Sequence, residues 1–117
     1  GDVVNKLGTL EKAICAREFG IPFYVAAPDS TFDPRMPTGA GIPIEERSED
    51  EVHYQTGIDE HGTLRRVRVT SPDSPAVNPA FDLTPARFVT GIITPHGILR
   101  PGAALPAVEV ARVGAAV

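Results

Sequence analysis

The stretch Ile21-Pro22-Phe23-Tyr24-Val25-Ala26-Ala27 decides the fold class, because it is an almost continuous apolar run without polar alternation. Such a run is typical of a strand covered on both faces, as the strands of parallel sheets are. Pro28 follows it and closes the strand. We therefore predict an α/β fold that contains a parallel sheet.

A helix is predicted immediately before this strand. Gly20 suits the position just after the last helical turn, and Pro22 prevents the helix from continuing. A helix followed at once by a buried strand is half of a βαβ unit, which also needs a strand before its helix. We therefore expect an amino-terminal portion of the domain to precede Gly1. The predicted helix rests on apolar residues at helical spacing: Val3, Val4, Leu7, Leu10, Ala13, Ile14, Ala16 and Phe19.

The segment after the strand, from Asp29 to Gly41, is predicted to be a loop rich in proline, glycine and polar residues. Ligands of open α/β sheets bind beyond the carboxyl ends of the strands. The loop could therefore line a site, or it could simply connect two elements, and both alternatives stay open.

Three further elements are predicted along the chain. Ser48 and Glu51 have the spacing of a capping box, which favours a short helix near Ser48. Leu64 to Val69 alternates apolar residues with three arginines, which indicates an exposed strand rather than a phosphate clamp. Thr84-Pro85 suits the start of a helix, with an apolar face that continues to Ile93.

The end of the chain carries weaker signals. Ile98-Leu99 is predicted to form a short last strand. The stretch from Pro101 to Val117 is rich in Ala, Pro, Val and Gly, and we expect a weakly ordered tail there. The predicted division is therefore 1–100 as part of one domain and 101–117 as a tail.

The composition excludes several classes of function. The 117 residues carry a net charge of −4, and the lysines and arginines are scattered, which argues against nucleic-acid binding. No apolar run approaches the roughly 18 residues of a membrane span, and no signal-peptide pattern opens the chain. A single cysteine cannot form an internal disulfide. We expect a cytoplasmic protein that does not associate with a membrane.

Few isolated side chains suggest chemistry. Cys15 lies on an apolar part of the predicted helix, far from its amino terminus, and is interpreted as a small packed hydrophobe. His53, His61 and His96 have no metal-ligand spacing and are interpreted as surface residues. Asp82 could be catalytic, but a bond to its own backbone at a helix start is favoured.

The opening segment Gly1-Asp2-Val3-Val4-Asn5-Lys6-Leu7-Gly8-Thr9 is the candidate substrate site. Asn5 and Lys6 are predicted to lie in the first turn of a helix, whose free backbone N–H groups favour an anion, and Lys6 adds a positive charge. These features describe a modest phosphate or sugar-phosphate site. A helix cap with a surface lysine explains the same spacing, and spacing alone favours that alternative.

Four segments in order resemble the carboxy-terminal part of methylthioribose-1-phosphate isomerases. They are the opening segment, Ile21–Pro28, Ile42-Pro43-Ile44-Glu45-Glu46-Arg47, and Asn78-Pro79-Ala80-Phe81-Asp82-Leu83-Thr84-Pro85-Ala86. The likeness runs from Gly1 to about Arg100. It implies a Rossmann-like, doubly wound domain in a homodimer, and conversion of an aldose 1-phosphate to a ketose 1-phosphate in methionine salvage without a metal or organic cofactor.

The resemblance also assigns roles to residues. The family's substrate-binding pair falls on Asn5 and Lys6. Its catalytic cysteine and aspartate lie upstream of the segment that matches Gly1, so neither Cys15 nor Asp2 inherits those roles, and this chain carries no catalytic residue. Asp29 departs from the uncharged residue expected there, and it is expected to point away from a phosphate.

Two rival functions remain at this point. Ribose 1,5-bisphosphate isomerase is a relative with the same plan, but it needs a second phosphate site that the sequence does not show. A regulatory, non-catalytic relative, similar to subunits of a translation-initiation exchange factor, is the other. Asn5 and Lys6 favour an enzyme.

Overall fold

The computed structural model describes residues 1–103 and shows a mixed α/β arrangement. Three short 3₁₀ turns, Asp29–Thr31, Gly39–Gly41 and Ala86–Phe88, lie among the other elements. In chain order the helices and strands are β1 (Val3–Lys6), α1 (Thr9–Glu18), β2 (Tyr24–Ala26), α2 (Asp50–His53), β3 (Tyr54–Ile58), β4 (Leu64–Arg68), β5 (Phe81–Thr84), β6 (Gly91–Thr94) and β7 (Gly97–Leu99).

The strands form three small sheets within the described residues. β1 pairs antiparallel with β5, with Asn5 opposite Asp82. β6 lies between β2, to which it is parallel, and β7, to which it is antiparallel. β3 and β4 form an antiparallel hairpin. The predicted parallel pairing of the apolar strand is therefore confirmed, with β6 as its neighbour.

The coverage predicted for that strand is wrong for the described residues. Tyr24 and Ala26 are exposed and Val25 is half-buried. The apolar run contributes only three residues to the strand, and Pro22, which has no N–H to donate, lies before it. The apolar run therefore predicted the parallel pairing correctly, but residues 1–103 do not cover both faces of the strand.

The helix expected from Val3 begins only at Thr9, because the first residues form strand β1. Leu7 continues the strand pairing by donating its N–H to the Ala80 carbonyl at 3.2 Å. Gly8 then turns the chain with φ of +97°, a left-handed conformation that glycine adopts without strain. Apolar residues of a short strand and of a helix had merged into one apparent helical pattern.

The end of α1 agrees with the sequence. Gly20 has φ of +67°, and its N–H donates to the Arg17 carbonyl, while the N–H of Ile21 donates to the Ala16 carbonyl at 2.7 Å. These two bonds form a Schellman motif, which satisfies carbonyls that the ended helix leaves unpaired. The glycine predicted to follow the helix is confirmed.

The helix predicted after Thr84-Pro85 is wrong. Thr84 ends β5, the turn Ala86–Phe88 is 3₁₀, and Gly91–Thr94 is strand β6. Ile92 and Thr94 are buried and Ile93 between them is exposed, which is a strand's alternation and not a helical face. β-branched residues such as these fit a pleated surface better than a helix.

The other local predictions are confirmed. A short helix, α2, follows Ser48, whose hydroxyl accepts from the Asp50 N–H at 3.2 Å. The arginine-rich stretch is the largely exposed strand β4, and Ile98 and Leu99 lie in β7. The tail prediction falls mostly on residues 104–117, which lie outside the described residues.

Buried apolar residues are few in the described part of the chain. Ala13, Ala80, Val89 and Ile92 form the core, whereas Phe19 is 77% exposed. Cys15 is exposed, so its interpretation as a packed residue is wrong. In residues 1–103, no helix is both long enough and apolar enough to cross a bilayer.

His53 is buried and not a surface residue as expected, whereas His61 and His96 are exposed. Its Nδ1 lies 2.6 Å from the Thr70 hydroxyl, and its Nε2 lies 3.3 Å from a Glu49 carboxylate oxygen. Both ring nitrogens therefore have partners, and the ring anchors α2 to the end of the arginine-rich hairpin.

Candidate functional site

Asn5 and Lys6, the two residues singled out for substrate binding, lie at the end of β1 and are both exposed. They are not in the first turn of a helix, so the predicted position of the pair at a helix terminus is wrong. Neighbouring residues of a strand point to opposite faces. The side chains of Asn5 and Lys6 therefore point to opposite faces of the strand end.

Asp82 occupies the start of α1, where an anion had been expected. Its Oδ2 accepts from the Gly8 N–H at 2.7 Å, and both of its oxygens lie 3.2 Å from the Leu10 nitrogen. No side chain from the helix itself caps this end. Asp82 thus supplies the cap from the neighbouring strand, and its charge satisfies the helix terminus that a phosphate would otherwise use.

Asp82 therefore has a structural role, with partners other than those predicted. It bonds the backbone of a segment 74 residues earlier and not its own. The carboxylate joins β5 to the turn that follows Lys6, so it holds the candidate binding residues against the sheet.

Thr9 links the two sides of this turn. Its hydroxyl donates to the Lys6 carbonyl at 2.7 Å, and the Asn5 side-chain Nδ2 donates to the same hydroxyl oxygen at 3.3 Å. Thr9 lies between Gly8 and Leu10, the two residues whose N–H groups Asp82 accepts. Sequence reasoning missed this contact set, although a threonine three residues after the lysine was a visible signal for it.

The surroundings of Lys6 leave its ammonium group available. Among residues 1–103, no carboxylate forms an ion pair with Lys6. The pKa of Glu51 is lowered, chiefly by its hydrogen bond with Arg47, and the charge of Lys6 contributes weakly to the same shift. Lys6 therefore lies near an acidic side chain that already has an arginine partner.

Asp2 fixes the other end of β1. Its carboxylate accepts from the Gly39 N–H and from the Ala86 N–H, each at 2.9 Å. These two backbone bonds, that from Gly39 first, lower the pKa of Asp2 below its ordinary value. A charged carboxylate is therefore held between the strand, the loop after β2 and the turn after β5.

A cleft of about 220 Å³ opens beside Asp2, so the loop after β2 does lie against the opening segment. Its walls combine the apolar faces of β1 and β2 with the loop side chains Phe32 and Met36. A Cβ added at Gly39 would require the Leu83 side chain to move and would lie 3.0 Å from the Asp2 Cβ. Asn5 and Lys6 are not among the cleft's lining residues.

The arginines of β4 do not form a phosphate clamp. Arg65 pairs with Asp59 at 3.0 Å, Arg66 pairs with Asp50 at 2.7 Å, and Arg68 donates to the Ser71 carbonyl at 3.1 Å. Each guanidinium group has a local partner, so the interpretation of this strand as an exposed face is confirmed.

Asp29, the departure noted in the sequence, pairs with His96 across the ends of two parallel strands. Its Oδ2 lies 2.7 Å from the His96 Nε2. The pair joins the turn after β2 to the turn between β6 and β7. Neither residue lines the cleft beside Asp2.

Comparison with known protein families identifies the class of protein. The family model described as "Initiation factor 2 subunit family" matches residues 1–101. This chain therefore belongs to the initiation factor 2 subunit family.

Individual relatives within this family carry more specific names. The chain is 55% identical over 101 residues to a methylthioribose-1-phosphate isomerase of Sulfurimonas denitrificans, a match that covers 86% of this chain and 28% of the relative. It is 56% identical over 98 residues to a methylthioribose-1-phosphate isomerase of Gluconobacter oxydans, covering 83% of this chain and 27% of the relative. The chain thus spans little more than a quarter of these curated relatives.

Solved structures give the same picture. A 5-methylthioribose 1-phosphate isomerase from Pyrococcus horikoshii matches with a TM-score of 0.70 and 46% identity, covering 86% of this chain and 26% of that chain. The delta subunit of translation initiation factor eIF-2B from A. fulgidus matches with a TM-score of 0.70 and 37% identity, covering 86% of this chain and 27% of that chain. The similarity therefore extends to an enzyme and to a translation factor.

Proposed function

We propose that this chain is the carboxy-terminal part of an isomerase that converts 5-methylthioribose 1-phosphate to 5-methylthioribulose 1-phosphate in methionine salvage. The observation that carries the proposal is the identity of 55–56% with relatives named methylthioribose-1-phosphate isomerase. The longer protein that carries this chain under the proposal is called the full-length protein below.

Asn5 and Lys6 bind the substrate in this proposal. The substrate's phosphate is an anion, and the Lys6 ammonium group is a mobile positive charge without an ion-pair partner among residues 1–103. Because Asp82 occupies the start of α1, the phosphate is held by the lysine side chain and not by the helix terminus.

The reaction itself needs more than these two residues. Hydrogen must move between adjacent carbons of the sugar, which requires an acid/base pair shielded from water. The family resemblance puts the catalytic cysteine and aspartate upstream of Gly1. The present chain therefore supplies binding residues, and the 117 residues alone do not catalyse the reaction.

The wider properties belong to the same proposal. The domain is completed as a doubly wound, Rossmann-like sheet, of which the parallel pair β2–β6 is one part. The protein is a cytoplasmic homodimer that acts without a metal or organic cofactor. Residues 1–100 belong to the isomerase domain, and residues 101–117 form a tail.

A second candidate function is regulatory, because the chain is also similar to the translation-factor subunit from A. fulgidus. Kinetic assays of the full-length protein with methylthioribose 1-phosphate and with ribose 1,5-bisphosphate separate the three possibilities. Turnover of the first substrate alone supports the proposal. Turnover of ribose 1,5-bisphosphate only, or of neither substrate by folded protein, would contradict it. Turnover by the 117-residue chain alone would contradict the proposal that the catalytic residues lie upstream.

A further inference from the structure

The Thr9 hydroxyl determines which way the Asn5 carboxamide faces. A carbonyl oxygen can only accept, so the 2.7 Å contact to the Lys6 carbonyl consumes the single proton of the Thr9 hydroxyl. Toward Asn5 the hydroxyl oxygen can then only accept. The nitrogen of the carboxamide must therefore face Thr9, as the 3.3 Å contact from Nδ2 shows.

This polarity leaves a defined pair of groups for a ligand. The Asn5 Oδ1 is an acceptor, and the second Nδ2 proton is a donor, and both point away from Thr9. A sugar hydroxyl can donate to Oδ1 and accept from Nδ2, whereas phosphate oxygens at neutral pH mainly accept. Asn5 is therefore matched to a hydroxyl group and poorly matched to a phosphate.

Thr9 is itself held in position from the neighbouring strand. Asp82 accepts the N–H groups of Gly8 and Leu10, the residues on either side of Thr9. The backbone at Thr9 cannot move away from β5 without breaking those charge-assisted bonds. The orientation of Asn5 is thus set by a carboxylate on β5 acting through Thr9.

We propose that Thr9, fixed by Asp82, is a positioning residue that makes Asn5 recognise a sugar hydroxyl, while Lys6 contributes its charge to binding the phosphate. The assignment rests on the proposed function for the sugar-phosphate ligand. It agrees with the strand geometry, because Asn5 and Lys6 point to opposite faces of β1 and so contact different parts of one ligand.

The test compares three variants of the full-length protein by calorimetry. Thr9→Val keeps the shape and removes the hydroxyl, Thr9→Ser keeps the hydroxyl, and Thr56→Val makes the same change on an exposed strand position. We measure the Kd for methylthioribose 1-phosphate, the Kd for inorganic phosphate, and turnover. Thermal unfolding identifies any variant that fails to fold.

We expect Thr9→Val to weaken binding of the sugar phosphate by about fivefold to tenfold, the effect of one misplaced neutral hydrogen bond. Binding of inorganic phosphate should change less than twofold, and Thr9→Ser and Thr56→Val should resemble the wild type. Unchanged sugar-phosphate binding in Thr9→Val, or an equal loss for inorganic phosphate, would overturn the proposal.

Failure of the inference and failure of the proposed function give different results. Wild-type protein that binds the sugar phosphate without turning it over contradicts the isomerase function, while the Thr9→Val comparison still decides the positioning role. Wild-type protein that turns the substrate over, with Thr9→Val binding it normally, contradicts only the positioning role. Wild-type protein that binds no sugar phosphate contradicts both.

Discussion

The β1–β5 pair and the β3–β4 hairpin use charged side chains in opposite ways. In the hairpin, Arg65 pairs with Asp59 and Arg66 with Asp50, all within 16 residues of one another. In the β1–β5 pair, Asp82 and Asp2 accept backbone N–H groups from segments 74 and 84 residues away. The hairpin neutralises its own cations locally, whereas the strand pair uses its carboxylates to hold distant segments together.

This difference indicates which cation is free to bind a phosphate. Guanidinium groups that already have partners must lose them before they can bind a phosphate, which costs part of the gain. Lys6 has no such partner among residues 1–103. A single lysine on the strand pair is thus a better candidate than three arginines on the hairpin.

The largest expected effect is on KM, and it tests the difference between Lys6 and the hairpin arginines. Lys6→Ala in the full-length protein removes one charge-assisted contact to the phosphate and should raise KM for methylthioribose 1-phosphate by about 10-fold to 100-fold. Arg66→Ala, the control, removes a cation of the hairpin and should leave KM within twofold. Steady-state kinetics provide the measurement. Equal KM values in the two variants would remove Lys6 from the site.

The next effect concerns stability. Asp82→Ala leaves the N–H groups of Gly8 and Leu10 without their acceptor and should lower the free energy of unfolding by about 2 kcal/mol. Asp59→Ala also removes a carboxylate that accepts two backbone N–H groups, but its partners are exposed and local, so its effect should be smaller. Urea unfolding of both variants tests this order. A larger loss for Asp59→Ala would contradict the importance given to the long-range cap.

The smallest expected effect is on stability, and it compares one glycine beside the β1–β5 pair with one in the hairpin. Gly39→Ala places a methyl group against Leu83 and 3.0 Å from the Asp2 Cβ, and should destabilise the protein by about 1 kcal/mol. Gly57→Ala on the hairpin meets nothing within 4 Å and should be neutral or slightly stabilising. Thermal unfolding distinguishes them. If both substitutions have the same effect, the close packing around Asp2 is not a constraint.

The same contrast explains what the sequence could predict. The exposed strand β4, the short helix after Ser48 and the glycine after α1 depend on residues close in sequence, and all three predictions are confirmed. The strand character of β1, and that of β6 within the helix predicted to start at Thr84-Pro85, depend on pairing between segments that are far apart. Local periodicity carries no information about such pairing, so both segments were wrongly predicted to be helical.

The candidate site shows the same division. The resemblance to known isomerases indicated Asn5 and Lys6, and these residues stay a prediction. The contacts that orient them could not be derived, because Asp82 reaches the turn only when β1 and β5 are paired. Thr9 was within reach of a local argument, since its hydroxyl bonds a carbonyl three residues earlier.

The pairing of β1 with β5 also sets an order of events during synthesis. A ribosome makes Asn5, Lys6 and Thr9 early in this stretch, but the strand that holds them, Phe81–Thr84, emerges only after more than 70 further residues. The arginine-rich hairpin can close as soon as its own residues have left the ribosome. The turn that follows β1 is thus translated before the hairpin and completed after it. A chain interrupted before Asp82 would carry Asn5 and Lys6 without the strand and the carboxylate that hold them in place.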